Sequence, residues 1–153
     1  MSAYKHSIAD RLRGKKDHLR DKTLPEPLAS RGNIGIAFVS ISGLPKYFYA
    51  HSGYDGGSSG DPVLREFSHL RTRRVFRTLC IPNKGDTKDM AYNRKVDTES
   101  KILEDIAWRI DYKRLVRGII VLYTERKPCV SCYAVIKQFQ SRFPLIQVSV
   151  YYG

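Results

Sequence analysis

Cys129 and Cys132 stand three apart in "RKPCVSC" and are entered through Pro128. Two thiols at that spacing either bind a metal or cycle between dithiol and disulfide. A redox pair would carry no metal and would titrate as a thiol couple. A zinc ribbon would need a second close pair of Cys or His, and the one other cysteine of the sequence is Cys80. Upstream lies an acid, Glu99, in "DTES" at the start of a predicted helix. A proline suits the first turn of a helix because no N–H is wasted there, and a helix start favours thiolate over thiol. Two helix starts, one bearing Glu99 and the other the thiols, can therefore converge on one metal.

The elements that must position them are read from periodicity. "SIADRLRGKKDHLR" (7–20) predicts a short basic helix with few apolar positions, interrupted at Gly14. Residues 24–33 read as linker. "IGIAFVSIS" (34–42) is apolar on both alternating faces, as a central strand is, and "KYFYAHS" (46–52) reads as its hairpin partner. "GYDGGSSGDP" (53–62) is loop. Residues 63–92 are the least legible, with a candidate strand around Val75–Ile81, a polar loop "NKGDTKDM", and Cys80 expected to be buried and inert.

Ile102, Leu103, Ile106, Ala107 and Ile110 share one helical face of 97–110, capped by Asp97 or Thr98. "GIIVLYT" (118–124) is a buried strand, 129–139 an amphipathic helix, and "IQVSVYY" (146–152) a half-buried strand. This order predicts an α/β fold, a three-layer α/β/α sandwich around one mixed sheet. The 153 residues suit a single domain, with 1–32 a basic helix and linker and 33–153 the core.

Composition narrows the partner. The chain has 27 Lys and Arg against 15 Asp and Glu, net +12, which points to a polyanion such as nucleic acid. No apolar run approaches the ~18 residues of a membrane span, and the N-terminus lacks the apolar stretch of a secretory leader. Three cysteines give no disulfide framework.

A ligand-x-Glu helix start followed by Pro-Cys-x-x-Cys opening the next helix resembles the zinc-dependent nucleic-acid and nucleoside deaminases. Here the pattern is "DTE" (97–99) and "PCVSC" (128–132), and the surrounding "GNIGIAFVSISGLPKYFYAHS" and "GIIVLYTERKPCVSCYAVIKQF" look like the deaminase toxins of bacterial polymorphic systems. The resemblance implies a cytidine-deaminase-like fold with Zn2+ on Cys129, Cys132 and a third ligand, and Glu99 as catalytic acid–base. The family's third ligand is usually His or Cys, and Asp97 stands in that slot, as ligand or as helix cap; His51, in "YAHS", is the rival. Many such proteins carry a fifth strand beyond those read here.

The substrate implied is cytosine in nucleic acid, single-stranded DNA first. A cognate immunity protein and delivery from one bacterium into the cytoplasm of another are implied as well. Arg126, Lys127, Ser131, Tyr49 and Tyr54 are the candidate substrate contacts, with Tyr47 and Tyr133 as further stacking platforms. "RTRR" (71–74) is a candidate backbone clamp, and Trp108 reads as packing. Alternatives are a deaminase of RNA or double-stranded DNA, a non-catalytic nucleic-acid-binding module with a structural zinc, and a Cys-x-x-Cys redox protein.

Overall fold

The computed structural model describes residues 2–56, 61–78, 80–81, 92–93 and 97–153. Strand β1 (Ile34–Ser40) is the centre of a four-stranded mixed sheet, antiparallel to β2 (Tyr47–His51) on one side and to β5 (Gly118–Thr124) on the other. Strand β6 (Ile146–Tyr152) closes the order β2-β1-β5-β6, parallel to β5. Two residues each of β3 (Cys80–Ile81) and β4 (Tyr92–Asn93) form a separate two-stranded sheet. The main sheet thus gains no fifth strand among the described residues. The expected strand at Val75–Ile81 shortens to Cys80–Ile81; the loop at 83–90 and the side chain of Cys80 lie outside the described residues.

Each face of the sheet carries helices, and the alternation of its strands makes two cores. Ala37, Val39, Ile120 and Leu122 face α2 (Thr98–Arg109) and α3 (Val130–Arg142) through Ile102, Leu103, Ile106, Val135 and Phe139. Ile34, Ile36, Phe38, Val121 and Tyr123 face α1 (Ser2–His18) through Ile8 and Leu12. The architecture is the three-layer α/β/α sandwich that the sequence predicts. Helix α1 runs uninterrupted through Gly14, where a side chain would meet only open space, and ends in a π-helical turn at Leu19–Thr23. Its Ile8, Ala9 and Leu12 are buried, so the basic N-terminal segment is one outer layer of the core rather than an appendage to it. Among the described residues no helix is long and apolar enough to cross a membrane.

Helix α2 is buried from Thr98 to Ala107, its charged residues included. Each buried charge has partners, as its desolvation demands. Lys101 Nζ donates to the carbonyls of His51 and Tyr54 at 2.8 and 2.7 Å and pairs with Asp55 at 2.8 Å. Glu104 accepts the backbone N–H groups of Val75 and Phe76 at 3.0 and 2.9 Å. Asp105 accepts from Ser68, Arg71 and Arg109 at 2.7, 2.7 and 3.0 Å. These bonds strap residues 68–76 across the outside of α2.

Burial pushes the Asp105 carboxyl up, but the bonds from Ser68, Arg71 and Arg109 outweigh it and leave the group below its usual range. Asp105→Asn is expected to cost about 1.5–3 kcal/mol at pH 7, the worth of a hydrogen bond to a charged group. With the folded pKa depressed, that stability is complete above about pH 4 and is lost as pH falls through the folded value. Urea melts of wild type and variant should therefore differ at pH 7 and converge in acid; a gap that is constant with pH would contradict the assignment.

Candidate metal centre

The pairing of Gly35 with Thr124 marks the end of the sheet at which β1 begins and β5 stops. Helix α2 starts there against β1. A Cβ on Gly35 would sit 2.6 Å from Thr98 Oγ1 and 2.7 Å from Thr98 Cβ, so only glycine permits this approach. From Thr124 the chain passes through Glu125–Pro128 into α3, whose cap residue is Cys129. Two helix N-termini thus face one another across a single point.

Asp97 holds the cap position of α2, yet its side chain makes no capping hydrogen bond. Its Oδ2 lies 3.2 Å from Cys132 Sγ and 3.7 Å from Cys129 Sγ, and the two sulfurs are 3.2 Å apart. All three ligand atoms fall within 4.8 Å of one another. Such a set can hold a metal ion: thiolate sulfur and carboxylate oxygen are both zinc ligands. Burial, then the charges of Glu99 and Asp97, push the Cys132 thiol far above its ordinary value. A divalent cation reverses that local logic and deprotonates a coordinating thiol. The chemistry of the donors and the crowding of acids agree that the residues fit a cation.

Glu99 lies beside this cluster at 2% exposure. Thr98 Oγ1 donates to its Oε1 at 2.5 Å, and hydrogen bonds with Cys132 and the Thr124 side chain also favour its charged form. Burial dominates these and raises the Glu99 pKa, with the nearby Asp97 charge adding to the rise. Thr124 Oγ1 in turn accepts from Asn33 Nδ2 at 2.7 Å, while Asn33 Oδ1 accepts the Arg126 N–H at 3.1 Å. Sequence reading names Thr98 only as a candidate helix cap and passes over Thr124, Asn33 and Gly35. The available signal was local: a hydroxyl beside the acid in "DTE" and another at the end of "GIIVLYT".

His51 is placed differently from the expectation that made it a rival ligand. It is 1% exposed; its Nε2 bonds the Leu28 carbonyl at 2.9 Å and its Nδ1 accepts the Gly53 N–H at 2.9 Å. Both ring nitrogens are thus engaged by backbone, and burial holds the pKa down and the ring neutral. His51 fastens the 24–33 linker to the sheet, and it is Asp97 that meets the thiols.

The candidate substrate contacts divide. Arg126 and Lys127 are exposed on the loop leading to Cys129, and Ser131 is fully buried in the first turn of α3. Tyr49 stacks on Phe67 at 5.6 Å, and Tyr49 and Tyr54 pack into the α1-side core. That is the face opposite α2 and α3, so the structure does not bring these two tyrosines to the cluster. Tyr47 lies on the same side beneath Lys15 Nζ at 4.1 Å, and Tyr133 is 44% exposed on α3. Trp108, expected to be packed, is 54% exposed with the Arg71 guanidinium 4.3 Å over its ring.

Comparison with known proteins adds the family. The model of Toxin-deaminase, the BURPS668_1122 family of deaminases, matches residues 16–153. No curated protein and no solved structure matches the chain. The match spans both helix starts and every strand of the sandwich. With an acid buried beside a thiol–carboxylate cluster at the sheet end, the protein belongs to the Toxin-deaminase family of deaminases.

Proposed function

We propose that this deaminase is a zinc enzyme that converts cytosine to uracil in nucleic acid, single-stranded DNA first, as a mutagenic toxin delivered between bacteria and blocked by a cognate immunity protein. The observation that carries the zinc site is Asp97: a residue in a cap position whose carboxylate leaves the helix uncapped and faces both thiols. The net charge of +12 supports a polyanionic substrate.

On this reading Cys129, Cys132 and Asp97 hold the ion. When bound there, zinc lowers the pKa of a coordinated water toward neutrality. Glu99 takes a proton from the attacking water and delivers it to the ring nitrogen next to the carbon under attack. It then carries the second proton to the exocyclic amine, which leaves as ammonia while the oxygen becomes the carbonyl of uracil. Its buried site, where the pKa is raised, suits a group that must both accept and return a proton near pH 7. Thr98 and Thr124 fix the carboxylate's orientation, and Arg126 and Lys127, exposed on the loop before Cys129, would meet phosphates flanking the base.

Structural zinc sites are closed by four protein donors, catalytic ones keep a position open. Among the described residues three donors form the cluster, which favours the open site. Among the described residues Glu99 is the neighbouring acid that could close it, and that distinction is testable. Protein purified without chelators should carry about one zinc per chain, as expected for a single site. The content should fall in Cys129→Ser, Cys132→Ser and Asp97→Ala and persist in His51→Ala. Loss of zinc in His51→Ala with retention in Asp97→Ala would overturn the assignment of the third ligand.

Glu99→Ala should keep the zinc and the fold while deamination of single-stranded DNA falls at least ~10²–10⁴-fold, the usual worth of a general acid–base. Uracil formed by the purified protein, read by uracil excision and strand cleavage, checks the rate, and metal analysis of the same sample checks the site. A Glu99→Ala protein that loses its zinc would mark a closed structural site instead.

A further inference from the structure

We propose that the strap over α2 and α3 forms a second nucleic-acid contact, a groove that grips the phosphate backbone at the end of these helices remote from the metal centre. This rests on the reading of the substrate as nucleic acid and names a surface that holds it away from the reacting base. Three adjoining hollows of about 530, 760 and 510 Å³ lie along residues 69–78 and the C-terminal halves of α2 and α3. The first two share Thr72, Arg73 and Tyr112, and the last two share Val75 and Phe76, so they make one continuous track. Among the described residues no acid lines any of them, whereas Arg73, Arg74, Arg77, Lys137 and Arg142 do.

The track is built rather than loosely draped. Phe76 is buried at 4% exposure against Phe139, ring centroids 5.6 Å apart. Glu104 takes the N–H groups of Val75 and Phe76. Gln138 closes a reciprocal pair with the Arg77 backbone, accepting its N–H at 2.8 Å and donating to its carbonyl at 2.9 Å. With Phe76 turned inward, Arg73, Val75 and Arg77 are left exposed in alternation. Arg71 and Arg109 are engaged by Asp105, but Arg73 and Arg77 make no ion pair among the described residues.

The chemistry favours a phosphodiester strand over an acidic protein. Guanidinium forks match phosphate oxygens bidentately, and Trp108, more than half exposed at the edge of the track, offers a stacking face of the kind that single strands use. Trp108 follows Glu99 by nine residues on α2, about 14 Å of helix rise. A strand of duplex DNA, at ~3.4 Å per charge, covers that length with about four phosphates, and an extended single strand covers it with fewer. A single strand lying in the track would therefore be held beyond the nucleotide under attack, not at it.

The test uses the full chain and a fluorescein-labelled single-stranded DNA 12-mer. Arg73→Glu with Arg77→Glu is compared with Arg11→Glu with Lys22→Glu, the same change of charge at exposed positions of the α1 side. The strap variant is expected to bind about tenfold more weakly or worse at 0.1 M salt, with the slope of log affinity against log salt reduced by about 1.4, or ~0.7 for each phosphate no longer neutralised. Its KM for deamination of the 12-mer should rise in parallel, and thermal melting should confirm an intact fold. Equal weakening in both variants would show diffuse charge and overturn the groove. Unchanged DNA affinity with weakened binding of poly-L-glutamate would overturn it in favour of an acidic protein partner. If wild type neither binds nor deaminates nucleic acid, the substrate reading falls and takes the groove with it; if it does both and the strap variant matches it, only the groove falls.

Discussion

The structure turns on the packing of four acidic groups, two carboxyls and two thiols, at the junction of two helix N-termini. Burial holds the Cys132 thiol and the Glu99 carboxyl above their ordinary values, and in each case a neighbouring carboxylate adds to the rise. Holding such a cluster together requires backbone to come unusually close, and Gly35 lets the start of α2 touch β1. It also requires the Glu99 carboxylate to be held in place, which Thr98 and Thr124 accomplish, Thr124 being held in turn by Asn33. The total burial of the first turns of α2 follows, and with it the need to satisfy Lys101, Glu104 and Asp105 from outside the helix.

That demand explains which parts of the molecule were legible in the sequence. Strands β1 and β5 are buried on both faces and read as continuous apolar runs; α3 and the apolar face of α2 read from their period. The thiols and Glu99 declare themselves by residue type and spacing. The segment after residue 66 did not, because it is held by side chains of other elements gripping its backbone. Glu104 and Gln138 bond main-chain atoms of Val75, Phe76 and Arg77, and such bonds leave no periodic trace in the residues they bind. The different placements of Asp97 and His51 needed coordinates for a similar reason. Both are chemically competent ligands, and only position shows that one meets the sulfurs while the other spends both nitrogens on backbone.

The N-terminal layer has a comparable logic. Its sequence reads as a basic helix with too few apolar residues to hold itself, and Ile8 and Leu12 do bury only a narrow stripe. The anchor is Arg20, in the turn after α1. It pairs with Glu125 at 2.6 Å and donates to the carbonyls of Leu28, Ala29, Arg31 and Gly32. Glu125 also accepts the Ile34 N–H at 2.7 Å. One guanidinium thereby fastens α1, the linker, the start of β1 and the end of β5. The loop bearing Arg126 and Lys127 begins at its carboxylate partner, so the outer layer steadies the approach to the thiols from the far side of the sheet.

The opposition between the inside and the outside of the molecule gives the proposed zinc a second consequence. On the proposed reading, a chain with a net charge of +12 would draw a polyanion from solution, its field acting over distances of a Debye length or so. The cluster that would receive the base on that reading has the other sign: Asp97 and Glu99 would repel an incoming phosphate, as they disfavour the Cys132 thiolate. Two thiolates and Asp97 carry three negative charges, and a divalent cation among them offsets two, where protonation of the thiols would remove charge at the expense of ligand strength. On that reading, charge that gathers the substrate belongs on the flanking loops and the strap, away from the reacting atoms, and charge that receives it would be supplied by the ion.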